Sequence, residues 1–165
     1  MLPIEAAIYW PSGKGYFFKG DRYVRVTPGK GVDPGYPRLI KDSFKQWPAG
    51  FFPLDAAVFW PPKGKVYFFK GDQYARYTPG EGIDAGYPRA IAGAWKGWPS
   101  GFWPVDAVHY WHSDKAYVFK GNQLLGFRIP TSAENMRLTA HHISDLIYET
   151  LLHRKGAFAT RIAYV

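Results

Sequence analysis

Cysteine is absent from this chain. Its absence removes a disulfide framework, a thiolate nucleophile and any cysteine-built metal site, and leaves an extracellular address without support. No apolar stretch approaches the roughly 20 residues that a membrane-crossing helix needs. No leader of basic, apolar and small residues stands ahead of Ile4, so neither a spanning helix nor an export signal is expected, and the location is left open between the cytoplasm and release without a visible signal. Basic runs are missing too. The formal net charge is +8 and the pI about 9.6, yet Lys14, Lys19, Lys30, Lys41, Lys45, Lys63, Lys65, Lys70 and Lys96 occur one or two at a time between apolar segments. Such charges are read as solvated turn residues, not as a groove that tracks a phosphate backbone. Neither a nucleic acid nor a membrane is expected as partner.

What the chain has in excess is aromatic rings, 19% of residues, and internal repetition. Ile4-Glu5-Ala6-Ala7-Ile8-Tyr9-Trp10-Pro11 returns as Leu54-Asp55-Ala56-Ala57-Val58-Phe59-Trp60-Pro61. Tyr16-Phe17-Phe18-Lys19-Gly20-Asp21 returns as Tyr67-Phe68-Phe69-Lys70-Gly71-Asp72. The register holds through Val32-Asp33-Pro34-Gly35-Tyr36-Pro37-Arg38 and Ile83-Asp84-Ala85-Gly86-Tyr87-Pro88-Arg89, and through Trp47-Pro48 and Trp98-Pro99. A third copy opens at Val105-Asp106-Ala107 and runs to Lys120-Gly121-Asn122 before diverging. A period of about 50 with several short strands per unit belongs to propellers and solenoids, where one unit cannot bury its own apolar face. Wide flat rings suit the space between stacked sheets, so packing is their first reading.

Within a unit, residues 4–10 and 54–60 are nearly continuous apolar runs, the pattern of an innermost strand buried on both faces. Ala6-Ala7 and Ala56-Ala57 fit a crowded axis. Second strands are expected at Gly15 to Phe18 and Lys65 to Phe69, followed by a Lys-Gly-Asp hairpin whose glycine takes a positive φ. Third strands fit Arg22 to Thr27 and Gln73 to Thr78, where polar and apolar residues alternate. Val32-Asp33 and Ile83-Asp84 lead into short, proline-protected edges, and brief helices fit Leu39 to Phe44 and Ala90 to Trp95, ended by Trp-Pro.

An acid followed by two alanines, an aromatic-aromatic-Lys-Gly turn, Val-Asp-Pro-Gly-Tyr-Pro-Arg and Trp-Pro, recurring at about 50 residues, together resemble the hemopexin repeat over residues 4–128. That family includes the C-terminal domains of matrix metalloproteinases, the haem carrier of serum, and single-domain plant and bacterial proteins. The resemblance implies a mainly β fold, a four-bladed β-propeller of antiparallel strands around a tunnel. The chain is read as one domain with units at 1–53, 54–104, 105–155 and 156–165, that is, three blades and one further inner strand. Thr131-Ser132-Ala133-Glu134 has the form of a capping box. Ile143, Leu146, Ile147 and Leu151 at helical spacing predict a longer C-terminal helix from about Thr139 to His153. Met136 to Leu138 is read as a vestigial outer strand. An unfinished ring leaves strand edges open to a second chain. The partner is therefore expected to be another polypeptide, first a second copy completing the ring, then a blade supplied from elsewhere, or else a tail that folds back.

For chemistry, Glu5, Asp55, Asp106, Asp21, Asp72, Asp33 and Asp84 recur at repeat-equivalent places. No constellation of nucleophile, base and orienting acid breaks the repeat, so no enzyme is expected. The resemblance implies a tunnel cation, Ca²⁺ or Na⁺, on main-chain oxygens at the acid and two residues later: Glu5 and Ala7, Asp55 and Ala57, Asp106 and Val108. Hard cations suit such oxygens, and the intervening amides suit chloride. A fourth contribution would fall to Thr160 and Ile162, beside the repelling charge of Arg161. All five histidines, His109, His112, His141, His142 and His153, lie in the divergent third. His141 and His142 point about 100° apart on a helix and do not share one metal, so surface or packed roles come first, with His109, His112, His141 and His142 as haem candidates. The expected function is a non-enzymatic protein-interaction module. Its rival is a carrier of haem or a polyamine at the tunnel mouth.

Overall fold

The computed structural model describes residues 4–111 and 115–121 and the backbone of 123–126. The expected C-terminal helix, the vestigial strand at Met136 to Leu138 and the inner strand within 156–165 lie outside the described residues.

The repeat resolves into three antiparallel sheets, one per unit. In the first, β1 (Ala6–Trp10), β2 (Lys14–Lys19) and β3 (Arg22–Thr27) form a meander. Two short strands share the outer edge of β3: β4 (Gly31–Val32) pairs with Val26 and Thr27, and β5 (Arg38–Leu39) with Arg22 and Tyr23. Helix α1 (Ile40–Ser43) follows. The second blade repeats the plan with β6 (Ala56–Trp60), β7 (Lys65–Lys70), β8 (Gln73–Thr78), β9 (Gly82–Ile83) and β10 (Arg89–Ala90). The third contains β11 (Ala107–Trp111), β12 (Lys115–Lys120) and β13 (Gln123–Gly126). The inner strands are neighbours in turn, β1 beside β6 and β6 beside β11. This mainly β, blade-by-blade arrangement is the expected propeller type.

The strand register sorts side chains by face, because neighbouring residues of a strand point oppositely. From blade 1, Ala6, Ile8, Phe18, Tyr23, Ile40 and Phe44 turn toward blade 2, which answers with Ala57, Val66, Phe68, Ala75 and Tyr77. The other face of blade 2, with Ala56, Val58, Phe69 and Tyr74, meets Val105 and Val118 of blade 3. Phe44 is the hub of the first seam, with ring centroids 5.2 Å from Tyr23 and Tyr77 and 5.7 Å from Phe68. In the second seam Trp95 takes that place, 5.4 Å from Tyr67 and Tyr74. Tilted and T-shaped pairs of this kind add to burial through the ring quadrupoles.

Three expectations are corrected. The helix expected at Ala90 to Trp95 is a series of turns, because Gly93 takes φ 76° and interrupts it; α1 is confined to four residues after a strand pair at Arg38–Leu39. The edge strands stop at Val32 and Ile83, one residue before the aspartates. Burial on both faces holds for Ala56, Ala57 and Val58 of β6, with Phe59 and Trp60 half-buried, but not for β1, where Ala7 and Tyr9 are exposed, or for β11, where Ala107 and His109 are. The hairpin glycines behave as expected, with φ of 55° at Gly20, 57° at Gly71 and 55° at Gly121.

Candidate functional site

Two sets of acids recur, and the structure gives each a different task. Glu5, Asp55 and Asp106 stand just before the inner strands. Their backbone N–H groups donate to the carbonyls of Phe18, Phe69 and Phe119 at 3.1, 2.9 and 2.8 Å. Their carboxylates accept the N–H of Gly20, Gly71 and Gly121 at 2.7, 2.5 and 2.5 Å. A left-handed turn residue directs its N–H out of the ladder; the acid one strand inward supplies the missing acceptor. These carboxylates therefore fasten the second hairpin of each blade. Main-chain oxygens of Glu5 and Ala7, Asp55 and Ala57, and Asp106 and Val108 sit at equivalent positions of three successive neighbouring strands. Among the described residues, no three His, Asp or Glu side chains gather to hold a metal ion.

Asp33 and Asp84 are the second set. Asp33 accepts from Arg25 Nε at 2.6 Å, from the Thr27 hydroxyl, and from Lys14 Nζ at 3.3 Å, while Lys14 also donates to Thr27. Asp84 likewise accepts from Arg76 Nε at 2.5 Å and from the Thr78 hydroxyl, while Lys65 Nζ donates to Thr78 and stands as an ion pair 3.6 Å from the carboxylate. Backbone bonds from Asp33 and Asp84 N–H to the carbonyls of Arg25 and Arg76, both 2.8 Å, fix the loop. The Thr27 and Arg25 bonds outweigh desolvation and hold the Asp33 carboxyl down at about 2. At Asp84 desolvation pushes upward, but Thr78 and Arg76 together prevail and hold it below the usual range. A carboxylate so held is a poor general base. The same arginines extend the cluster: Arg25 and Arg38 lie 5.1 and 4.7 Å from the Tyr36 ring, and Arg76 and Arg89 4.9 and 4.6 Å from Tyr87. Sequence reading placed Asp33 and Asp84 but missed their partners. The signal was there, since Lys14, Arg25, Thr27, Tyr36 and Arg38 all recur 51 residues later as Lys65, Arg76, Thr78, Tyr87 and Arg89.

Of the haem candidates, His109 lies within the described residues, and His112, His141 and His142, with His153, lie outside them. The His109 imidazole is exposed on β11, with Trp111 5.5 Å from it covering one side. That partial desolvation lowers its pKa.

Comparison with known proteins follows the same boundaries. The family model described as Hemopexin matches residues 4–49 and 54–100. Interstitial collagenase of Equus caballus is 39% identical over 111 residues, covering 62% of this chain and 23% of the collagenase; the chain thus spans less than a quarter of that relative. The Tol-Pal system protein TolB of Methylobacillus flagellatus is 50% identical over 48 residues, 29% of this chain and 11% of TolB. Among solved structures, the hemopexin fold protein CP4 from cow pea superposes with a TM-score of 0.61 at 26% identity, covering 74% of this chain and 65% of CP4. A plant lectin with two metal binding sites from Cicer arietinum gives 0.60 at 21% identity, covering 78% and 62%, a likeness of fold.

Proposed function

This chain belongs to the hemopexin family, and from that premise we propose that it is a non-catalytic binding module that recognises another polypeptide, a second copy being the first candidate. One observation carries the reading. Each recurring acid of the inner strands and the edge loops is engaged within its own blade, whereas large apolar side chains, Ile4, Tyr9, Val32 and Phe119, stand exposed. Exposed apolar surface of that kind is what a protein partner covers.

A cation in the tunnel is the accompanying proposal. The donor set fits a hard ion: the carboxylates of Glu5, Asp55 and Asp106 are taken up by turn glycines, so main-chain oxygens at these residues and at Ala7, Ala57 and Val108 would hold Ca²⁺ or Na⁺. Such an ion would neutralise the carbonyl dipoles at these residues and tie the inner strands together, and the amides between would suit chloride. The rival, a haem or polyamine carrier, draws on the exposed His109 beside Trp111.

Thermal unfolding with Ca²⁺, haem or spermine added separately tests both. A ligand selective for the folded chain raises Tm by mass action. The expected outcome is a rise with Ca²⁺ and none with haem or spermine. A Soret shift, or stabilisation by spermine, would turn the assignment to a carrier.

A further inference from the structure

Each edge loop sets two arginines against one tyrosine ring, and only one of the two finds a carboxylate. Arg25 and Arg76 are paired with Asp33 and Asp84 at 2.6 and 2.5 Å. Arg38 and Arg89 differ: among the described residues no carboxylate lies within ion-pair distance of either. Both are exposed, and both stand on the short outer strands β5 and β10.

An exposed arginine ordinarily samples many rotamers, but these two are fixed by three contacts each. The Nε–H of Arg38 donates to the Gly35 carbonyl at 3.2 Å, and that of Arg89 to the Gly86 carbonyl at 3.1 Å. Each guanidinium lies over a ring, 4.7 Å from the centre of Tyr36 and 4.6 Å from that of Tyr87. The third contact is with the glycine itself. A Cβ at Gly35 or Gly86 would come within 3.3 Å of the arginine Nη2, so the bare Cα leaves the guanidinium its room. With Nε taken up and one face covered, the two Nη groups are the donors a ligand would meet, in a plane set in advance. The same device is built twice, 51 residues apart.

A preset guanidinium fork matches the two coplanar oxygens of a carboxylate and loses little freedom on binding one. A second copy is a poor source of that carboxylate. Lys and Arg outnumber Asp and Glu 21 to 13, and the recurring acids Glu5, Asp33, Asp55, Asp84 and Asp106 are engaged within their own blades. Nor do the surroundings suit a phosphate backbone, since the lysines are dispersed and not aligned. Exposed Pro34, Pro37 and Ala85 flank the forks, an apolar lip that a polypeptide can cover. We infer that Arg38 and Arg89 are twin carboxylate-binding sites through which this chain takes an acidic polypeptide. This surface is distinct from the exposed apolar residues of the reading above, and its occupant is a different chain.

Isothermal titration of the full chain with a hexaglutamate peptide is the test, at low and at physiological salt, with hexaglutamine as the uncharged control. Wild type is expected to bind hexaglutamate and not hexaglutamine, and to bind more weakly as salt screens the pairing. Arg38→Lys and Arg89→Lys keep the charge but remove the fork. Each should weaken binding about tenfold, and the double variant should abolish it. Far-UV circular dichroism checks folding, and Arg38→Gln and Arg89→Gln replace any lysine variant that is misfolded. Undiminished binding by the double variant would overturn the inference in favour of diffuse charge. Tighter binding of a sulfated oligosaccharide or a DNA strand of equal charge would overturn it as regards the partner. A wild-type chain that ignores hexaglutamate would overturn it entirely, while leaving the protein-interaction reading to the apolar surface.

Discussion

Arg25, Thr27 and Lys14 converge on one carboxylate, Asp33, which is 12% exposed. Because its folded pKa, about 2, lies below the unfolded value near 4, the unfolded chain takes up this proton first as pH falls. The resulting stability is present in full above about pH 4 and is lost as pH drops toward 2. Asp33→Asn should therefore flatten the acid limb of the stability profile between those values and lower the plateau at neutral pH. Urea titrations at intervals from pH 2 to 7 measure both effects, and an unchanged acid limb would exclude the assignment. The matching loop in blade 2 works through Asp84 in the same direction. At the alkaline end, burial pushes Tyr23 and Tyr74 up to about 12. Ionisation of these phenols is thus harder in the fold, and their contribution fades as pH climbs from about 10 to 12.

At the scale of elements, much was legible because strand, turn and repeat signals agreed. Third strands Arg22–Thr27 and Gln73–Thr78 fall on the expected residues, set by alternation and bounded by Gly and Pro. The helix expected at Ala90 to Trp95 failed because a single positive-φ glycine, Gly93, outweighs a favourable local composition. The arginine, threonine and lysine around Asp33 escaped notice because they come from β3 and β2 while the acid lies beyond the edge strand β4, and register across a sheet is not written in any one segment. Nor could sequence distinguish Gly31 from Gly82. Both have positive φ, 86° and 126°, but a Cβ at Gly31 meets nothing within 4 Å, whereas at Gly82 it would lie 2.8 Å from the Lys45 carbonyl oxygen across the seam. Gly31→Ala is expected to cost about 1–2 kcal/mol from backbone conformation alone. Gly82→Ala should cost clearly more, on the order of 3 kcal/mol, as the bond from Ile83 to Lys45 is also forced open. Equal losses in chemical denaturation would show that the close approach carries no energy.

For the molecule as a whole, stability in such a row is a sum of units and the seams between neighbours. Phe44 belongs to blade 1 in sequence and to the first seam in space, where it is 3% exposed among Phe18, Tyr23, Phe68 and Tyr77. Phe44→Ala should cost about 3–5 kcal/mol. Amide hydrogen exchange should show protection falling in β2 and β3 and also in β7 and β8, with β12 less affected. Loss confined to blade 1 would mean that the seam is weaker than its packing implies.

The sorting of side chains by face has a consequence for how such chains diversify by recombination. A seam joins the forward face of one blade to the rear face of the next, and both faces of any blade are encoded within one contiguous stretch of about 50 residues. A crossover between Phe52 and Pro53, or between Trp103 and Pro104, exchanges whole blades and keeps their two faces together. A crossover within β2 or β7 splits them, joining a first half fitted to one neighbour with a second half fitted to another. Viable hybrids should therefore have their junctions at the aromatic-proline pairs, and the blade is the unit that this architecture allows to be shuffled.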